Sequence, residues 1–313
     1  MRAPSGKNRD LILVRAGPNS LHPEWMAMRE DDQTFDLMVL AYGPTTLAPD
    51  RGDFGYVHIP GPKVAGYGAF LRDHCDFIAR YDQVALIDDD IKSNCYMLAK
   101  TFEIGRANNL RLWQPSLTWE SYFSYASLLN QPGLHSIRYV NFIEMMCPFF
   151  KTSALAEIAD IFQVGAETGI DILWSCVIGE DPWAVAVIDA VSVTHTRPVG
   201  LLKALNGFQG NSYDDYIFSL LNDFGVASFP GAIPTGYPPS ANPSVVMRLR
   251  LAWGSLILAG ALCKTRMSKV QVLHAWLAGI RQILVKGTRI DGDRLVILKR
   301  AAQFVAAQSK PQA

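Results

Sequence analysis

Four apolar residues running straight into three carboxylates constrain this chain more than any other feature. The stretch is Val84-Ala85-Leu86-Ile87-Asp88-Asp89-Asp90-Ile91. A short apolar run bounded by polar residues is the pattern of a strand buried on both faces, as in a parallel sheet covered by helices. The acids then fall at the carboxyl end of that strand, where ligands collect in open α/β sheets. Like charges this close repel unless a cation or hydrogen bonds hold them. A divalent metal is the simplest partner, and Asp88 and Asp90, one residue apart, can point their oxygens toward one Mn²⁺ or Mg²⁺. A solvated acidic turn is the plainer reading of the same triplet.

The surrounding segments share a strand and helix rhythm. Leu11 to Val14, Leu37 to Tyr42, Tyr56 to Ile59 and Val84 to Ile87 are short runs rich in branched residues, separated by polar residues, Gly and Pro. Between Tyr67 and Tyr81, Phe70, Leu71, His74, Phe77 and Ile78 recur at helical spacing. Ser153 to Phe162 and Gly169 to Ile178 read as helices, and Ala184 to Val193 as a further strand. The class this predicts is α/β, a Rossmann-type, mostly parallel sheet flanked by helices. From Phe229 to Pro243 five prolines and two glycines exclude regular structure and mark a linker or mobile loop. The expected organisation is a catalytic body over 8–228, a linker over 229–243 and a basic helical C-terminal extension over 244–313, which a chain of 313 residues can accommodate.

A hydrophobic share of 49% and a charged share of 19% exclude a disordered chain. Five cysteines without CxxC spacing, and no secretory signal pattern, lead to the expectation of a reducing, cytoplasmic setting. The formal net charge of zero conceals an asymmetry. From Val245 onward 12 Lys and Arg stand against 2 Asp, whereas the first 244 residues carry 17 Lys and Arg against 27 Asp and Glu. A basic tail on an acidic body is expected to meet something anionic, such as a phosphate-bearing substrate or the inner membrane surface. A solvated helical face is the bland alternative. Leu249 to Cys263 is apolar almost all round but only about 15 residues long, short of the roughly 20 that span a bilayer. Val270, Leu273, Leu277, Ile280 and Leu284 then recur at helical intervals with Lys269, Arg281 and Lys286 nearby, an amphipathic basic pattern that suits packing on the body or contact with a membrane or partner. Nucleic-acid binding is not expected, because the basic residues are confined to the tail and no recognition motif accompanies them.

Other residues point toward the same site. His195 ends the last apolar run, where an imidazole could complete a metal site begun by Asp88 and Asp90. Asp171 is a lone acid at the start of an apolar helical stretch; the helix dipole would favour it there, and partial burial would suit it to deprotonating a hydroxyl. Glu144, in Asn141-Phe142-Ile143-Glu144-Met145-Met146, is likewise isolated, and could orient an acceptor or act as the base. Arg15, Ala16, Gly17 and Asn19 form a loop after the first strand that could contact a nucleotide, though a plain turn explains Gly17-Pro18 as well. Lys63, in a stiff loop after Pro60 and Pro62, could reach a phosphate or sit idle at the surface. Trp113, Trp119 and Trp174 offer stacking faces for a ligand ring or, more commonly, core.

The order of these blocks, LILVRAGPNSLHPEW, FDLMVLAYG, the Lys63 loop, YDQVALIDDDI, WQPSLTW, YVNFIEMMCPFF, GIDILW and SVTHTRP, resembles the glycosyltransferase-like family known as DUF707 over roughly Asp10 to Pro198. The resemblance implies a GT-A fold whose DXD-type acids, here Asp88, Asp89 and Asp90, bind a metal and the donor diphosphate, with His195 joining the metal and Asp171 serving as base. It implies a nucleotide-sugar-dependent enzyme without naming donor or acceptor; the expected reaction is transfer of a sugar from a nucleotide-sugar donor to a saccharide or lipid-linked acceptor, as in surface polysaccharide assembly. Two other readings stay open. Asp88-x-Asp90 also matches the nucleophile and acid of haloacid-dehalogenase-like phosphatases, but those place the motif near the first strand and need a later Lys and a further acidic pair, whereas here it follows several strands and the pair Asp291 and Asp293 lies in the basic tail. A non-catalytic sugar-binding protein of the same fold would bind nucleotide-sugars without consuming them.

Overall fold

The computed structural model describes residues 8–26, 34–43, 55–198, 213–237, 245–285 and 289–308. Its strands are β1 (Asp10–Ala16), β2 (Phe35–Ala41), β3 (Gly55–His58), β4 (Gln83–Asp88), β5 (Ile91–Lys92), β6 (Leu112–Leu117), β7 (Ile137–Val140), β8 (Phe149–Lys151), β9 (Val185–His195) and β10 (Pro234–Gly236). They form one sheet in the order β10-β7-β9-β6-β8-β4-β1-β2-β3, with β5 paired to β9 beside it. Along that path only β7 and β8 run against the rest, so the sheet is mostly parallel, as expected. Helices flank it, among them Lys63–Asp73, Cys95–Ala107 and Ile170–Ile178. β1, β2 and most of β4 are buried throughout. This burial on both faces is why their sequences are continuous apolar runs rather than alternating ones.

The chain leaves β1 for β2 on one side and returns to β4 on the other, so the sheet's winding reverses between β1 and β4. A crevice at the carboxyl ends of such a pair is where doubly wound sheets hold ligands. Asp88 ends β4 and pairs with Arg15 of β1, placing the acidic triplet and the Gly17 loop side by side.

Several local expectations differ from the structure. The helical run expected through Tyr81 stops at Asp73, and a short turn over Cys75–Ile78 follows. The helix expected over Ser153 to Phe162 ends at Glu157 and continues as a tight turn over Ala159–Gln163. Pro115 lies inside β6, tolerated because the β6–β9 register shifts between Pro115 and Ser116. The proline-rich stretch is not devoid of regular structure. Pro234–Gly236 forms the edge strand β10, antiparallel to β7, where a proline's missing N–H costs least. The Asn141 side chain holds this segment, accepting from Ile233 N at 2.7 Å and donating to Gly231 O at 2.9 Å. The rest of the expected linker, 238–243, lies outside the described residues, as do Lys286 and Lys310.

The C-terminal extension is helical, over Val245–Ile257, Ala261–Lys264, Lys269–Val285 and Arg294–Gln308. Its last helix buries Ile297 and Ala301 against the Ile170–Ile178 helix and the Ala159–Gln163 turn. From Val245 to Lys264 the helical run reaches 20 residues, longer than the apolar stretch of the sequence and long and apolar enough to cross a membrane by length and composition alone.

Candidate functional site

Each of the three aspartates has its own partner, which is what makes their crowding tolerable. Asp88 accepts from Lys63 Nζ through both oxygens, at 3.0 and 2.8 Å. Asp89 turns back toward the body: its Oδ2 accepts from Gly17 N at 2.8 Å and from the Tyr42 hydroxyl at 3.3 Å, and its Oδ1 accepts from Arg197 at 3.0 Å. Arg197 also donates to Asn19 O at 2.5 Å. Asp89 thereby ties together the loops after β1, β2 and β9. Asp90 Oδ2 lies 3.3 Å from His195 Nε2. That approach is built by the β5–β9 pairing, in which Ile91 and His195 are opposite each other.

Asp88, Asp90 and His195 each offer a ligand atom within 4.8 Å of the others. His195 Nδ1 sits 2.9 Å from the Tyr122 carbonyl. A carbonyl only accepts, so Nδ1 carries a proton and Nε2 faces the carboxylate. If the ring is neutral, two lone pairs oppose each other there. The arrangement requires positive charge between them, either a second proton or a cation. Burial disfavours the imidazolium, but the hydrogen bond and charge of Asp90, with Asp88 behind it, outweigh that and raise the His195 pKa. Burial likewise opposes ionised Asp90, and His195, Arg197 and Lys63 together hold its carboxyl below the usual range. Asp90 Oδ1 is buried with no hydrogen-bond partner among the described residues. Two carboxylates, one of them with an oxygen lacking a partner among the described residues, and an imidazole oriented by a carbonyl form a donor set that fits Mn²⁺ or Mg²⁺.

Buried acids lie next to this cluster. Burial pushes Asp88 up to about 6 against the lowering charge of Lys63. Glu144 is pushed up to about 7, again chiefly by burial, and it feels the charges of Asp171, His195 and Lys63. Ser124 Oγ donates to Glu144 Oε1 at 2.6 Å, whereas Oε2 is buried without a hydrogen-bond partner among the described residues. Asp171 stands in the first turn of the Ile170–Ile178 helix, after Gly169 at a φ of 80°. Its pKa rises to about 6 through burial, partly offset by the backbone N–H of Met145, which donates to Oδ2 at 3.4 Å. Lys63 also donates to Met145 O at 3.3 Å, so the segment 144–145 touches both the lysine and the acid.

Some residues sit elsewhere than their sequence context suggested. Arg15 is buried at the end of β1, with its guanidinium donating to Ile59 O at 2.6 Å, Gly61 O at 2.6 Å and Pro62 O at 3.2 Å. Its two terminal nitrogens are thereby committed to the loop that precedes Lys63. Trp113 and Trp174 are core, their indole N–H groups donating to Thr101 O and Ile143 O. Trp119 is partly buried and donates to Asn130 O at 2.8 Å. Ala16 ends β1, and Gly17 and Asn19 contribute backbone groups to the Asp89 and Arg197 ties. The acidic pair on which a phosphatase would draw is engaged otherwise: Asp293 Oδ1 caps the last helix through Leu295 N and Val296 N, and Asp291 pairs its backbone with Ser228.

Sequence reading missed Arg197, Tyr42, Ser124, Tyr122 and Glu167. Arg197 alone carried a signal, standing two residues beyond His195. Glu167 accepts from Val64 N at 2.8 Å and Ala65 N at 2.9 Å, satisfying the first turn of the helix that begins with Lys63.

No family model and no curated protein matches the chain. Solved structures similar to it include A197 from STIV, at a TM-score of 0.35 and 11% identity over 60% of this chain and 86% of that one. TarS 1–349 of S. aureus is similar at a TM-score of 0.41 and 10% identity, covering 96% of this chain and 92% of that one. The same protein in complex with UDP-GlcNAc gives 0.41 and 10%, over 97% and 76%. Likenesses this distant carry none of the functional argument.

Proposed function

We propose that the protein is a divalent-cation-dependent glycosyltransferase of GT-A type, moving a sugar from a nucleotide-sugar to a saccharide or lipid-linked acceptor in surface polysaccharide assembly. One observation carries the reading. The Tyr122 carbonyl fixes the proton on His195 Nδ1, so Nε2 meets Asp90 across 3.3 Å at the switch point of the sheet, where only a positive charge reconciles them. Asp88, Asp90 and His195 would hold Mn²⁺ or Mg²⁺. Such an ion, when bound, supplies positive charge against the departing nucleoside diphosphate.

The chain's own residues account for the rest. Lys63 brings an ammonium to the same edge, suited to a phosphate oxygen. Asp89 fixes the Gly17 to Asn19 loop and Arg197, which frame the donor's side of the crevice. Glu144 is better placed than Asp171 as the base, because its Oε2 has no hydrogen-bond partner among the described residues while Asp171 receives a backbone N–H. A group titrating near neutrality accepts a proton efficiently at that pH. The acceptor hydroxyl oxygen bonds to the anomeric carbon as the bond from that carbon to the diphosphate oxygen breaks. The diphosphate leaves with the electron pair, and the hydroxyl proton passes to Glu144.

The test is nucleotide release from UDP-, GDP- and other nucleotide-sugars, with and without Mn²⁺ and with a cell-derived glycan as acceptor. Release with one nucleotide class, dependent on both Mn²⁺ and glycan and lost in Asp90→Asn, is the expected result. No release and no metal-dependent rise in melting temperature with any nucleotide-sugar would overturn it. Binding without consumption would indicate the non-catalytic reading, and turnover of an aryl phosphate abolished by Asp88→Asn would indicate a phosphatase.

A further inference from the structure

The helices over Val245–Ile257 and Lys269–Val285 carry apolar stripes with no covering partner among the described residues. On the first, Leu249, Trp253 and Leu256 recur at intervals of four and three and are 57%, 66% and 41% exposed. On the second, Val270, Leu273 and Leu277 recur at three and four and are 62%, 38% and 50% exposed. Such spacing places each set on one helix face. The opposite faces are committed. Met247, Leu251 and Ala252 pack with Ile233, Tyr237 and Ile283 in a small core of their own. The two helices are also joined by Trp276, whose indole N–H donates to Ser255 O.

The chemistry around the stripes selects the occupant. Between Val245 and Ile290 the sequence holds eight Lys and Arg and no Asp or Glu. Arg250, Lys269 and Arg281 are exposed on these same helices. An exposed apolar stripe on a segment that carries cations and no acid of its own, on a body that is itself acidic, complements a surface that is apolar beneath and anionic at its face. We infer that this helix pair docks the protein on an anionic lipid bilayer, lying in the headgroup region with Trp253 and the leucines inserted. The length of the Val245–Lys264 run would also allow it to cross. Crossing would pull Met247, Leu251 and Ala252 out of their packing against the body, whereas lying in the interface leaves that packing intact. The inference stands apart from the proposed chemistry, because it concerns residues outside the crevice and is read without catalysis.

The experiment is flotation of the full chain with vesicles of phosphatidylcholine alone and of phosphatidylcholine mixed with phosphatidylglycerol. Flotation with the anionic vesicles only, weakened by salt, is expected. Trp253→Gln combined with Leu277→Gln lowers vesicle affinity at least about tenfold while lowering the melting temperature by a few degrees at most, since the two residues are 66% and 50% exposed in the free protein. Neutralising Arg250, Lys269 and Arg281 to Gln lowers it on the order of a hundredfold. Equal binding to both vesicle types, or to neither, overturns the inference. So does retention in high salt and alkali, as for a spanning protein, or a dimer in light scattering that the Trp253→Gln, Leu277→Gln variant converts to monomer, which would mean that a second copy covers the stripes.

Discussion

Glu144 concentrates the energetics of the site in one side chain. Its carboxyl is buried, held on one oxygen by Ser124 and left without a partner among the described residues on the other, and its pKa is pushed up to about 7 from 4.5. Burial therefore favours the protonated form in the folded state. Between pH 4.5 and about 7 the native state holds a proton that the unfolded state has lost, so the contribution of Glu144 is intact below 4.5 and is lost as pH rises to about 7. Across that window the loss is on the order of 3 kcal/mol. Glu144→Gln cannot ionise, so its stability relative to the parent should rise by about that amount between pH 4 and 8, measured by urea denaturation; parallel curves would show that the carboxyl is not buried as an acid. The same variant should lose roughly 10²- to 10⁴-fold in turnover together with the rising limb of the pH profile near 7. The identities of Asp88, Asp90, His195, Lys63, Asp171 and Glu144 were legible in the sequence as isolated polar groups against apolar runs, and the structure brings them to one edge of the sheet. Their ties were not legible. Ser124 is 20 residues from Glu144 and Glu167 is 103 from Val64, separations that no local pattern encodes. The burial of Arg15 was hidden for the same reason, since an arginine after a strand looks alike whether its donors meet a ligand or three carbonyls.

Among the elements, the helix Lys63–Asp73 matters most, because its first residue reaches the acidic triplet. Its start has no side-chain cap from Pro62, the residue in front of it. Glu167 supplies the missing acceptors from the loop ahead of the Ile170–Ile178 helix, and Arg15 fixes the preceding carbonyls. A negative charge at a helix N-terminus also favours the dipole. Glu167→Ala should therefore cost about 1–2 kcal/mol in stability. If Glu167 acts by positioning Lys63, the variant raises the KM for the donor more than it lowers kcat, and Glu167→Gln, which keeps one acceptor, recovers part of the loss; equal effects on both constants would leave it a purely structural cap. Gly66 is bound to the same device, because a side chain there would run into the Arg15 guanidinium. β1, β2 and β4 were readable because burial on both faces makes them apolar runs, whereas β6 was not, its run being broken by Gln114, Pro115 and Ser116. β7, β8 and β10 were not legible either, being three or four residues long and, in β10, starting on a proline.

At the scale of the whole molecule, the cluster of Asp88, Asp90 and His195 exists only because β4, β5 and β9 meet. Asp88 and Asp90 are neighbours in the chain, but His195 is more than 100 residues away and is delivered by the β5–β9 pairing. The unfolded chain holds no comparable donor set, so a cation that binds these three groups binds the native state selectively and stabilises it by mass action. At a hundredfold excess over its Kd that gain is about 2.7 kcal/mol, a rise of a few degrees in melting temperature for a protein of this size. Lys63 opposes the gain, because its ammonium already neutralises Asp88 through both oxygens. Two variants separate the contributions. Asp90→Asn should abolish the Mn²⁺-dependent rise, and chelation should reverse it in the parent protein. Lys63→Met should move the rise to lower Mn²⁺ concentration, since the ion no longer competes with a resident positive charge, while lowering the melting temperature without metal because Asp88 is then buried and has lost its ammonium partner. A melting temperature indifferent to Mn²⁺ in the parent and in Lys63→Met alike would mean that the charge between His195 and Asp90 is a proton, and that the triplet is a structural network rather than a metal centre.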